Sequence, residues 1–172
     1  MRSSSLVLPS SSLSSEDFLS SLMPAVVEFL QVDRCFFYLR NPQTQLGRVP
    51  FCWTRDSSIP TVYDEDWKPE PDSLPDEDPM FAAALRTEPS IFVEDVEATS
   101  SEILNAQFEK ENFGHRALIH GHVCQHGELW GVLQPCVFGG SRIWSQDERS
   151  TIQQLIQEIT PTAVAYVKAH SS

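Results

Sequence analysis

Apolar side chains recur at Phe18, Leu19, Leu22, Met23, Val26, Val27, Phe29 and Leu30. This i, i+3, i+4, i+7 spacing gives a helix one wide apolar face and predicts a helix over Glu16 to Gln31. Pro24 lies inside that stretch and removes a backbone donor, which predicts a kink near Leu22-Met23 or two shorter pieces. The same period returns at the other end of the chain. Ile152, Leu155, Ile156, Ile159, Ala163, Tyr166 and Val167 fall on one side of a last helix, with Gln153, Gln154 and Glu158 opposite and Pro161 bending it late. Ser145 and Glu148 have the spacing of a capping box, in which each side chain satisfies a free backbone donor of the first turn, so this helix starts near Ser145.

Between the terminal helices the pattern shortens to strands. Cys35 to Leu39 is an apolar run flanked by Arg34 and Arg40, apolar on both faces and so predicted as a central strand. Arg48 to Thr54 is its hairpin partner across Gln43 to Gly47, and Pro50 argues that the partner is an edge strand. Ile91 to Val93, Ala117 to Val123 and Leu129 to Cys136 are further strands, the last two joined at His126-Gly127 and paired antiparallel. Asp78 caps a short helix with Pro79 at its first position and an end at Arg86. Glu102 to Asn112 has helical spacing, and Gly114 stops it. This order predicts an α+β fold in which an antiparallel sheet carries the terminal helices on one face.

Residues 55–79 depart from both periods. Pro60, Pro69, Pro71, Pro75 and Pro79 alternate with Asp and Glu residues, so regular structure is not expected. Tyr63 and Trp67 sit inside this acidic stretch and gain by covering apolar surface, which favours a lid over a cavity; an acidic insertion is the alternative.

At 172 residues the chain is long enough for one domain with its own core, placed at 16–170. The serine-rich stretch 1–15 is expected to be a disordered leader. The formal charge of −12 repels polyanions and anionic lipid, which excludes nucleic acid and membrane surfaces as partners. No apolar run approaches membrane-spanning length, and a cytoplasmic location is the expectation. Cys35, Cys52, Cys124 and Cys136 are widely spaced, show no Cys-x-x-Cys pair and read as reduced core thiols rather than metal ligands.

Gly127-Glu128-Leu129-Trp130-Gly131, followed by Arg142-x-Trp144 and an acidic residue opening the last helix, resembles the end of a GAF domain. The similarity runs back to about Asp17 and is strongest to the chromophore-binding GAF domains of phytochromes and cyanobacteriochromes. It implies a GAF-like sheet with the N- and C-terminal helices on one face and a loop-covered pocket on the other. In the light-sensing members a cysteine ahead of the pocket-lining helix bonds a linear tetrapyrrole. Between Asp95 and Phe108 this chain has Ala98-Thr99-Ser100-Ser101-Glu102-Ile103-Leu104 instead. A second family cysteine corresponds to Met80 in Asp78-Pro79-Met80-Phe81, and the family's histidine after Leu-Trp-Gly falls near Cys136. The resemblance therefore implies no covalent bilin and no obligatory cofactor, while noncovalent tetrapyrrole binding stays open.

The candidate pocket residues are Trp53, Tyr63, Trp67, Met80, Phe81, His120 and His122, bulky or polar groups around the cavity the resemblance implies. His120 and His122 are two apart and share a strand face. They read as a polar pocket wall or a solvent-facing pair, with metal ligation lacking a third ligand. No nucleophile–base pair, phosphate loop or carboxylate dyad is present, so no enzyme is expected. The expected function is a sensory or regulatory GAF module in signal transduction, with a noncovalent small ligand or a protein partner. Two alternatives accompany it: a homodimer formed through the terminal helices, and an enzyme like free-methionine sulfoxide reductase, which needs an activated thiolate.

Overall fold

The computed structural model describes residues 5–171. Helix α1 (Ser15–Leu30) is capped by Ser14, whose side chain accepts from the Asp17 amide, and it runs unbroken through Pro24. The chain then passes through β1 (Arg34–Asn41), β2 (Leu46–Thr54), β3 (Asp64–Pro69), α2 (Leu74–Glu77), α3 (Pro79–Leu85) and β4 (Ile91–Val93). After a 3-10 turn come α4 (Ala106–Asn112), β5 (Ala117–Gln125), β6 (Glu128–Val137) and α5 (Gln146–His170). The sheet has six strands in the order β3-β2-β1-β6-β5-β4, and every neighbouring pair is antiparallel. This is the α+β arrangement the chain pattern predicts.

The two end helices pack on one face of the sheet. Leu19, Leu22, Met23 and Val26 of α1 and Ile152, Leu155, Ile159 and Val167 of α5 bury against Cys35, Phe37, Leu39, Ile119 and Leu133. Two glycines allow this closeness: a Cβ at Gly121 would lie 2.8 Å from a methyl of Ile156, and one at Gly131 would lie 2.6 Å from the Tyr38 carbonyl. The glycine of Leu-Trp-Gly is therefore a contact point between β6 and β1. The Ser145–Glu148 capping box forms in both directions. Trp144 is buried, and its indole N–H donates to the Val93 carbonyl at 3.0 Å, tying the start of α5 to β4.

Three local readings change. Residues 55–79 contain a strand and a helical turn, because β3 pairs with the outer side of β2. That pairing makes β3 the edge and β2 an interior strand. Pro50 is accommodated because the β1–β2 register slips between Phe37 and Leu39, and the described β2–β3 pairs end at Val49, so no ladder bond needs its missing donor. The helix read from Glu102 begins only at Ala106, since Asn105 caps it by accepting from the Phe108 amide and also donates to the Glu77 carbonyl. Of the stretch read as a disordered leader, residues 1–4 lie outside the described residues, while Leu6 packs against the core.

Candidate functional site

Strand alternation gives the sheet a second face with a different chemistry. Phe36 and Tyr38 of β1 point away from the terminal helices, opposite Gln134 and Val132 of β6. His120 and His122 flank Gly121, which faces α5, and so lie on the same side as Phe36. Helices α3 and α4 and the segment from Glu70 to Leu74 cover this face, and β3 borders it. Between cover and sheet lies a cavity of about 370 Å³, within the size range of small-molecule sites.

Aromatic and aliphatic groups make most of its wall: Phe36, Tyr38, Phe81, Phe108, Phe113 and Val132. Phe36 and Phe113 stack with centroids 5.7 Å apart, which holds the turn after α4 down on β1. The rim is fixed by a buried ion pair. Arg40 donates to both carboxylate oxygens of Glu70, at 2.8 and 2.7 Å, and to the Leu129 carbonyl at 2.9 Å. Tyr38 also donates to Glu70, and burial together with that carboxylate drives its phenol well above the ordinary range. The tyrosine ring lies where a side chain at Gly47 would be, since a Cβ there would collide with its hydroxyl.

Polar groups of the wall are buried yet incompletely paired. Asp78 Oδ1 accepts from the amides of Met80 and Phe81 at 3.1 and 3.2 Å, while Oδ2 has no partner among the described residues. Burial, and then the neighbouring Glu109, push this carboxyl up to about 7. Gln134 is buried, lines the cavity, and its amide bonds no described residue. His120 is buried too, with Nδ1 2.7 Å from His122 Nε2.

A further buried network sits beside the cavity. Arg34, fully buried, lies between the rings of Phe36 and Phe138 and donates to the Pro60 carbonyl at 2.9 Å. Its guanidinium also reaches His115 Nδ1 at 3.5 Å. Cys136 Sγ lies nearer the same nitrogen, at 3.2 Å, and His115 Nε2 is 2.7 Å from Glu109 Oε1. Burial pushes Glu109 up to about 8, so this carboxyl is largely protonated at neutral pH.

The candidates named from sequence divide. Phe81 and His120 line the cavity, and His122 stands directly behind His120. Met80 is fully buried one layer away, among Val93, Val96, Leu104 and Leu118. Trp53 pairs with Cys35, whose side chain faces the helices, and at 49% exposure it sits outside the cavity. Tyr63 is 54% exposed and also outside. Trp67 alternates with cavity-facing Asp64 and Lys68, so it turns to the helix side, where Arg48 lies 4.6 Å over its ring. The acidic segment thus walls the cavity through Asp64, Lys68, Pro69, Glu70, Pro71 and Leu74, without its aromatics.

Phe36, Tyr38, Phe108, Phe113, Asp78 and Gln134 were not singled out as pocket residues. The signal for the first two was present: a strand apolar on both faces, with one face taken by Cys35, Phe37 and Leu39. No cysteine lines the cavity. Burial pushes the Cys35 and Cys124 thiols up, away from reactive thiolates. No group of three or more His, Cys, Asp or Glu side chains among the described residues is placed to hold a metal ion. No helix among them is long and apolar enough to cross a membrane.

Comparison with known proteins agrees with this geometry. The GAF domain family model matches residues 14–160. A GAF domain of an Acinetobacter phosphoenolpyruvate-protein phosphotransferase superposes with a TM-score of 0.68 at 16% identity, covering 93% of this chain and 87% of that one. The phycoerythrobilin-bound GAF domain of a cyanobacterial phytochrome gives 0.69 at 17% identity, covering 93% and 90%. A phycocyanobilin-bound GAF domain, also from a cyanobacterial phytochrome, gives 0.68 at 20% identity, covering 92% and 87%. No curated protein sequence matches the chain. The chain belongs to the GAF domain family, whose members are sensory and regulatory modules.

Proposed function

We propose that this GAF domain is a sensory or regulatory module that binds a small, mostly apolar ligand noncovalently in the cavity on the sheet face opposite α1 and α5. The observation that carries the reading is one wall in which aromatic rings surround three buried polar side chains, Asp78, His120 and Gln134, each with hydrogen-bonding capacity left over. Facing an open cavity, this unused capacity is available to a partner that binds there. Covalent pigment is not part of the reading, because the wall offers no thiol.

Ligand occupancy has a short route to the terminal helices. Phe36 and Tyr38 touch the cavity while Phe37 and Leu39, their neighbours on β1, belong to the helix-side core. The apolar faces of α1 and α5 lie against the chain's own sheet, so a protein partner or a second copy would meet their outer, polar faces.

The test is a thermal-shift screen of small aromatic compounds against the protein and a Val132→Trp variant, in which the larger ring fills the cavity. Compounds at a hundred times their Kd should stabilise the native protein by about 2.7 kcal/mol, and the variant should lose that response. A screen without hits, or hits equally strong on the variant, would overturn the reading.

A further inference from the structure

The two histidines of β5 specify more than a polar wall. His122 Nδ1 lies 2.7 Å from the backbone carbonyl of Glu88. A carbonyl oxygen only accepts, so the His122 proton is on Nδ1. Both imidazoles are held neutral by burial, His120 most strongly. With one proton per ring, His122 Nε2 is an acceptor, and the 2.7 Å contact to it must be filled by a proton on His120 Nδ1. The His122 backbone amide, bonded to the Ser90 hydroxyl at 3.0 Å, helps hold this part of β5 in place. The chain of donors therefore runs in one direction, from His120 through His122 to Glu88.

Its other end is His120 Nε2, a bare lone pair. That atom bonds no described residue, and it is not sealed off: among the described residues the unpartnered side-chain atoms without solvent contact are on Arg34, Arg48, Trp67 and Glu109. His120 forms part of the cavity wall, so the open edge of its ring faces the cavity.

Of the charged groups near the cavity, all but Asp78 are matched or turned away. Glu70 is paired with Arg40 at 2.7 Å, Lys68 with Asp64 at 2.8 Å, and Arg48 stacks on Trp67. An anionic ligand would give up its hydration without gaining a free cation, and would meet the Asp78 carboxyl. Flat ring faces are favoured by the Phe36, Phe81, Phe108 and Phe113 walls.

We propose that His120 presents a tautomer-locked hydrogen-bond acceptor to the cavity, and that the ligand is a flat aromatic molecule, not an anion, bearing an N–H or O–H donor. The inference rests on the ligand-binding reading above for its second half, while its first half can be examined in the ligand-free protein.

Two measurements test it. Nitrogen NMR of ¹⁵N-histidine-labelled protein at neutral pH should show both His120 and His122 as neutral rings protonated at Nδ1; a proton on His120 Nε2, or a charged ring, would overturn the lock. Carbazole and dibenzofuran share one shape and differ by an N–H against an oxygen. Carbazole should bind about tenfold more tightly, the worth of one hydrogen bond to a buried acceptor. In His122→Phe the lock is released, and that ratio should shrink toward one. Equal binding of both compounds to the native protein would overturn the inference and leave the cavity reading standing. Binding of neither would overturn the ligand class, and the broader screen then decides the cavity reading separately.

Discussion

The two faces of one sheet have been built to different standards. On the helix side, Phe37, Leu39, Ile119 and Leu133 meet α1 and α5 in an apolar core with nearly every group fully buried. On the other side, alternate residues of the same strands, Phe36, Tyr38, His120 and Gln134, border a cavity. Buried Arg34, Asp78, Glu109 and His115 cluster on that side as well. Close packing contributes stability on the first face, whereas the second keeps open volume and underused polar groups, both of which cost stability. The difference shows where the fold is held together and where it is kept available for a ligand.

The largest effect should come from the closed face. Phe37→Ala removes a ring with no exposed surface and should cost about 3–5 kcal/mol in urea unfolding. A smaller loss would mean that this face is not the more tightly packed of the two.

Next comes pH. Asp78 and Glu109 are raised from 3.8 to about 7 and from 4.5 to about 8, so the folded chain holds protons that the unfolded chain releases. Their contribution is fully present below about pH 4 and is lost as pH rises to about 8. Each of the two groups should lower the unfolding free energy by roughly 2–4 kcal/mol between pH 5 and 8. Asp78→Asn, which keeps the capping oxygen, and Glu109→Gln should each flatten that slope. An unchanged slope in both variants would remove these carboxyls as its source.

Gln134→Leu sharpens the contrast from the other side. It replaces a cavity-facing amide that bonds no described residue with an apolar group of similar size, so stability should stay level or rise by up to about 1 kcal/mol. The same polar-to-apolar logic has no counterpart on the helix face. Smallest of all, Trp53→Ala should change stability by no more than about 0.5 kcal/mol and leave the compound-screen response intact, since the side chain is half exposed and outside the cavity. A lost response would return Trp53 to the site.

Much of the architecture could be read from the residues. The period of α1 and α5, the two-sided apolar run of β1, and the Ser145–Glu148 cap each follow from local spacing, and local spacing survives folding. The edge was misread because Pro50 is a local signal for a missing donor, whereas the slipped β1–β2 register removes the need for that donor. The acidic segment was misread for a related reason: β3 is short, alternates charge with Trp67, and becomes a strand only because β2 offers an unpaired side. Among the pocket residues, Phe81 and His120 were legible as bulky or polar groups near the Asp78 cap and on β5. Phe108 and Phe113 were not, because Phe113 reaches the site by stacking on Phe36, far away in sequence, and Phe108 packs edge-on against Phe113.

The sequence alone determined most of the helices and strands and the α+β class, because hydrophobic period and capping chemistry act over a few residues. Only the tertiary structure decided which face of each strand meets the helices, which buried polar atoms were left without partners, and which ring nitrogen of His120 is free. Those outcomes depend on register and on distances between residues far apart along the chain, and no local pattern encodes them.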